Sequence, residues 1–194
     1  MYKKVVVPLD GSKLAEVAIP HLEEIAKGCT IPEVMLVSVT ERLSGAVTRL
    51  AAAPELPSGW SGQPTGVKPV GAAFSGIVYT VDLPHPREVP AEMGKMARTA
   101  WNNLVRKADG LAKKGLSVQA YVLVGNPAEE IINFAKEQAV DLIIMGSRGK
   151  SGFNQWDMGN VADKVIRRTD IPVVLVKPKP GFKETKPKRR GRPN

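Results

Sequence analysis

Reactive and metal-binding side chains are scarce in this sequence. Of 194 residues, one is cysteine, Cys29, and two are histidine, His21 and His85. A lone cysteine closes no internal disulfide, and Cys29 has no identifiable activating partner, so it reads as an inert thiol. Neither histidine sits in a metal or nucleophile spacing, and no catalytic constellation is expected. Long apolar runs are also missing. Ile143-Ile144-Met145 and Val173-Val174-Leu175-Val176 are far too short to cross a bilayer. A strand-like run begins at Lys4 without a charged region and long apolar core before it, so no signal peptide is expected and the chain reads as cytosolic.

What is present is enough apolar material, 43% of residues, for the core of one α/β domain with extras. The net charge of +9 is concentrated at one end: residues 177–194 hold eight Lys or Arg against the single acid Glu184. That leaves 20 basic and 18 acidic side chains elsewhere, so the body is close to neutral and any electrostatic partner belongs to the tail.

Residues 4–9 form a β-branched run ending in Pro8-Leu9-Asp10-Gly11-Ser12. Ser12 is placed to cap a helix reaching about residue 27, with Pro20 kinking it. A second apolar strand follows at 33–39. Prolines 54, 57, 64 and 69, with glycines among them, exclude a regular helix or central strand across an insertion at about 43–90, although 76–81 reads as a short strand or hairpin arm. A long amphipathic helix is predicted over 91–114, facing the core with Met96, Ala100, Leu104, Ala108 and Leu111. A strand over 116–124 comes next. Asn126-Pro127-Ala128-Glu129 then starts a helix with Asn as cap and Pro in the first position. The pattern closes with a strand into Gly146, a helix from about 160 to 168, and a strand over 171–176 at a sheet edge.

Nearly continuous apolar strands alternating with helices predict an α/β fold: a doubly wound, Rossmann-like, five-stranded parallel sheet, helices on both faces, in a single domain. That domain spans 1–177, and a basic tail over 178–194 has too little to bury to fold alone. Ligands bind such sheets beyond the carboxyl ends of the strands, where strand order reverses. Asp10, Val39 and Gly146 lie at those ends.

The richest signal runs from Val140 to Val161. An apolar strand stops at Gly146-Ser147-Arg148-Gly149, and Gly159-Asn160 opens a helix ten residues after Gly149. Glycine permits close approach of a ligand to the backbone, and a helix start offers unpaired N–H groups to an anion. Gly149-Lys150-Ser151 is not a P-loop, because that pattern needs glycine where Ile144 stands.

The glycine spacing, with the blocks 5–12, 125–130 and 143–176, resembles the nucleotide-binding branch of the universal stress protein family, across most of residues 1–177 outside the insertion. The resemblance implies an ATP-binding regulatory module, ATP arriving with or without Mg2+, and a homodimer joined through the strand at 171–176. It implies Pro8, Leu9 and Asp10 around the ribose and base, and Val39 at the adenine edge. Met145, Gly146, Arg148 and Gly149 would run along the loop, with Gly159, Asn160, Val161 and Ala162 receiving phosphate oxygens. Asn160 departs from the family pattern, which has Ser or Thr there. Asn caps as well as Ser, so the helix start survives; if its amide caps, the ligand loses one donor worth about 0.5–1.5 kcal/mol. A slow adenine-nucleotide hydrolase or adenylyl transferase is the enzymatic rival, for which the sequence supplies no base.

The tail ends in Lys188-Arg189-Arg190-Gly191-Arg192-Pro193, which resembles the core of an AT-hook. Arg190, Gly191, Arg192 and Pro193 suit a narrow A·T minor groove: two guanidinium groups flank a glycine that lets the chain lie close. A DNA-associated protein whose globular part pairs two such tails is therefore the second functional reading.

Overall fold

The computed structural model describes residues 2–29, 31–40, 79–82, 95–149, 158–179 and 182. The apolar runs become strands: β1 (Lys4–Pro8), β2 (Glu33–Thr40), β4 (Val118–Val124), β5 (Leu142–Gly146) and β6 (Val173–Val176). These five pair in parallel in the order β4-β2-β1-β5-β6. A sixth strand, β3 (Tyr79–Asp82), extends the sheet beyond β4 and is antiparallel to it, Tyr79 opposite Val122. The hairpin-like segment expected at 76–81 thus yields an edge strand displaced slightly toward the carboxyl end.

Successive strand residues point to opposite faces, and each face has its own core. Val5, Val7, Leu142 and Ile144 point to one side, where α1 (Lys13–Glu16), α2 (Ala18–Gly28) and α3 (Lys95–Ala112) lie. Val6, Ile143 and Met145 point to the other, against α4 (Pro127–Glu137) and α5 (Asn160–Arg168). Trp101 and Phe134 are the largest fully buried side chains, one in each core. With both faces covered, the strands show the continuous apolar character read from sequence.

Both expected caps form. The Ser12 hydroxyl accepts from Ala15 N at 3.1 Å, and Asn126 Oδ1 accepts from Ala128 N at 3.2 Å. The first helix, however, is not merely kinked but divided at Val17. Pro20 has no N–H to offer the carbonyl of Glu16, four residues earlier, so the helical ladder lapses there and resumes as α2. The predicted core face of α3 also needs correction. Trp101, Ala97 and Val105 are buried, whereas Met96 is 51% exposed. The true apolar stripe is rotated by about one residue in the first two turns. Apart from β3, the 43–90 insertion lies outside the described residues, as does the tail from 183 onward.

Candidate functional site

The chain turns back over β1. From β1 it moves outward through β2 to β4, then crosses to β5 on the other side of β1. At the carboxyl ends of β1, β2 and β5 this reversal leaves a cavity of about 600 Å³.

Hydrogen bonds from the loops onto the neighbouring strands fix its floor. Leu9 N donates to Val37 O at 2.7 Å, Ser147 N to Val176 O at 2.7 Å, and Gly125 N to Thr40 O at 3.0 Å. Gly11, at φ 81°, makes the turn that swings the chain from β1 into α1, a conformation that costs glycine little. Asp10 Oδ1 accepts from Ser12 N at 2.8 Å, holding that turn, while its other oxygen lies against Gly149. A Cβ at position 149 would come 2.3 Å from Asp10 Oδ2, and one at 146 would come 2.7 Å from Leu14 O. Close approach is tight at both glycines: Gly146 against the backbone of α1, Gly149 against the Asp10 carboxylate.

The start of α5 is where the structure departs from the expected capping. Gly159, not Asn160, is the N-cap, with extended backbone and no side-chain capping bond. Gly159 N is fixed on Ser147 O at 2.8 Å, and Asp163 N bonds Gly159 O at 2.9 Å. Asn160 is the first helical residue, exposed, and its amide is not spent on capping. The N–H groups of Asn160, Val161 and Ala162 have no carbonyl of a preceding turn to reach. These three residues line the cavity.

The residues implied for a nucleotide are brought to this one cavity: Pro8, Leu9 and Asp10 at the end of β1, Val39 in β2, Met145, Gly146, Arg148 and Gly149 at the end of β5, and Gly159 to Ala162 at α5. The residues suggested for DNA, Arg190 to Pro193, lie outside the described residues. Sequence reasoning missed a whole wall. The first turns of α3 contribute Lys95, Met96, Thr99, Ala100 and Asn103, and α4 contributes Pro127 and Ile131. The available signal was the polar stripe Lys95, Thr99, Asn103 at four-residue spacing, which is also what a solvent-facing stripe looks like.

The charged side chains among the described lining residues are Lys95, Arg148 and Asp10. No group of three or more His, Cys, Asp or Glu is placed to hold a metal ion among the described residues. The arrangement is therefore one of backbone donors and glycine at the β5 side, with apolar side chains (Val37, Val39, Ile131) at the β2 side.

Behind the cavity, Glu16 ties α1 to α3. Its Oε2 lies 2.7 Å from Lys107 Nζ and 2.9 Å from Lys13 Nζ. Burial alone would raise the Glu16 pKa; hydrogen bonds and charge attraction from Lys107 and Lys13 together outweigh it, and the pKa falls below the ordinary 4.5.

The Universal stress protein family matches residues 75–177, just over half of the chain. The chain belongs to this family. Over 92% of its length it is 28% identical to the universal stress protein MJ0577 of Methanocaldococcus jannaschii, covering 97% of that protein. The solved structure of MJ0577 superimposes with a TM-score of 0.51 at 26% identity, covering 92% of this chain and 98% of that one. Universal stress protein YxiE of Bacillus subtilis is 36% identical over 55% of this chain and 69% of its own. A universal stress protein family member from Arabidopsis thaliana, solved with AMP bound, shares the fold with a TM-score of 0.54 at 14% identity, over 92% of this chain and 93% of that chain. The five-stranded parallel core is thus the universal stress protein fold, to which β3 adds an antiparallel edge. Among the described residues no helix is long and apolar enough to cross a membrane.

Proposed function

We infer that this universal stress protein binds ATP or a related adenine nucleotide in the cavity, as a cytosolic regulatory module and not a fast enzyme. The observation that carries the reading is the first turn of α5 beside Gly149, whose N-cap Gly159 has no side chain to cap it, lining the same cavity as the apolar end of β2. Phosphate oxygens take the N–H groups of Asn160, Val161 and Ala162, and the base lies toward Val37, Val39 and Ile131. Asn160, freed from capping, adds an amide donor where the family has a hydroxyl. The AMP-bound relative lends support from outside the chain.

Magnitudes assign the division of labour. Attraction to a helix end is worth about 0.3–2 kcal/mol, whereas a micromolar dissociation constant needs about 8.2 kcal/mol. Burial of the base and the summed backbone hydrogen bonds therefore supply most of the affinity. Mg2+ arrives with the phosphates, since Asp10 is the one carboxylate among the described lining residues. That one carboxylate is already engaged by Ser12 N.

The exposed side of β6 supports pairing of two copies. Val173, Val174 and Leu175 are only half-buried at the sheet edge, and strand pairing with a second copy covers such an edge. A second functional reading rests on Arg190-Gly191-Arg192-Pro193: two tails per dimer, each weak alone, bind A·T-rich duplex through effective concentration.

Denaturing the purified protein and weighing the released small molecules tests the first reading: an adenine nucleotide is expected, and a site that yields none and takes up no added ATP removes it. ATP turnover near one per second would favour the hydrolase instead, given that enzymes typically work at about 1–1000 per second. Duplex binding by the full chain against a chain ending at Pro178 tests the tail; equal affinity eliminates it.

A further inference from the structure

On the reading that the cavity holds a nucleotide with its base at the end of β2, we propose that Glu130 of α4 is a positioning residue: its buried side chain fills the space against Gly125 and so sets the wall on which the base lies. Neither Glu130 nor Gly125 lines the cavity. Both act through their neighbours in the chain.

Glu130 is 7% exposed, and among the described residues it is the one charged side chain buried to that degree. Carboxylates are rarely buried so far, because taking one out of water is costly. The start of a helix is a favourable place for one, and Glu130 lies at the start of α4. Helical side chains lean toward the helix N-terminus, which turns this one back onto the junction between β4 and α4. A Cβ built on Gly125 would come 2.3 Å from Glu130 Oε1 and 2.8 Å from its Cγ and Cδ. The glutamate therefore occupies the room that any side chain at 125 would need.

That junction carries both sides of the slot for the base. Gly125 N donates to Thr40 O at 3.0 Å, fastening the end of β2 to the turn. Pro127 begins α4 two residues later, behind the Asn126 cap, and Glu130 N donates to Asn126 O at 2.9 Å. Val39 and Thr40 line the cavity from the β2 side of this joint, Pro127 and Ile131 from the α4 side. The spacing of the two sides is thus set at Gly125, held by a backbone bond to β2 and by contact with Glu130. Shortening Glu130 lets the turn settle into the vacated space. Enlarging Gly125 drives the glutamate out. Either change misplaces the base, while the start of α5 keeps its own bond from Gly159 N to Ser147 O.

The test titrates the full-length chain with ATP and with inorganic tripolyphosphate, then repeats both with Glu130→Ala, Glu130→Gln and Gly125→Ala. Gly125→Ala probes the same contact from its other side, should Glu130→Ala fold poorly. Two controls accompany them. Glu129→Ala removes an exposed acid from the same turn, and Phe134→Leu loosens the buried side of α4 away from the cavity. Glu130→Ala and Gly125→Ala should weaken ATP about tenfold, equivalent to about 1.4 kcal/mol. Tripolyphosphate affinity should stay within about twofold, as expected for a distant site. Glu130→Gln, which keeps the volume, should restore ATP binding, and both controls should keep the wild-type ratio of the two affinities. If Glu130→Ala and Gly125→Ala leave ATP affinity unchanged or weaken both ligands equally, the positioning role is overturned while the nucleotide reading stands. The same holds if Glu130→Gln is as damaging as Glu130→Ala, or if Phe134→Leu lowers the ratio as much. If the wild type binds tripolyphosphate but no ATP, or neither, both readings fall.

Discussion

The two ends of the cavity are made from different materials. At the β5 end a ligand meets main-chain N–H groups and two glycines, held by bonds such as Gly159 N to Ser147 O. At the α3 end it meets side chains on the exposed flank of a helix whose other flank is core. A backbone-built end tolerates many side chains around it but no added Cβ at its glycines. A side-chain-built end can be retuned one residue at a time. On the proposed reading, Asn160 can stand in place of a hydroxyl there because the phosphate donors belong to the main chain.

Several substitutions put this contrast under strain. The largest effect should come from the core flank of α3. Trp101, 2% exposed, packs under the sheet, and Trp101→Ala should cost about 3–5 kcal/mol by chemical denaturation. Met96→Ala, on the cavity flank five residues earlier, should change stability by no more than about 0.5 kcal/mol while weakening ATP. Comparable losses from both would erase the distinction between the flanks. Next comes Gly146→Ala, whose Cβ meets the backbone of Leu14 and Ala15. Neither atom can swing aside, so α1 must shift, and a loss of about 1–3 kcal/mol is expected as a lower melting temperature.

Gly149→Ala should behave differently. Its Cβ meets only the Asp10 carboxylate, which can move by giving up Ser12 N. The melting temperature should hardly change, but ATP affinity should fall about tenfold, the cost of roughly one displaced polar contact. A large drop in stability with normal binding would reverse the assignment of the two glycines.

The smallest effect concerns the link between the ends, Glu16 with Lys107. The folded-state pKa of Glu16 is lowered, so its contribution is present above the ordinary value of 4.5 and is lost as pH falls through the lower folded value. Glu16→Gln should destabilise the protein at pH 7 by at most about 1 kcal/mol. In urea titrations the gap between variant and wild type should close on acidification below that range. A gap independent of pH would mean that shape, not charge, joins α1 to α3.

Much of this architecture was legible before any coordinates. Continuous apolar runs such as Ile143-Ile144-Met145 mark strands buried on both faces, and Ser12 and Asn126 mark helix starts that do form. The residues picked out by the glycine spacing line one cavity because a strand, loop and helix start are local. What stayed illegible depends on tertiary choice. In α3, stripes through Met96 and Ala100 or through Ala97 and Trp101 merge at Leu104, Ala108 and Leu111, and only packing decides between them. The edge strand β3 depends on pairing with β4, some forty residues away. Asn160 is as good a cap as Gly159 by residue type, and the bond from Gly159 N to Ser147 O settles which residue takes that position.

The most direct measurement is a calorimetric titration of ATP into the full-length protein freed of any co-purified ligand. A saturable isotherm with one nucleotide per chain and a dissociation constant in the micromolar range or below is the predicted result, weakened about tenfold when one donor is removed by Asn160→Pro, which the first helical position tolerates. Absence of heat up to millimolar ATP, or an isotherm unchanged by that substitution, would contradict the claim that the open helix start receives the phosphates.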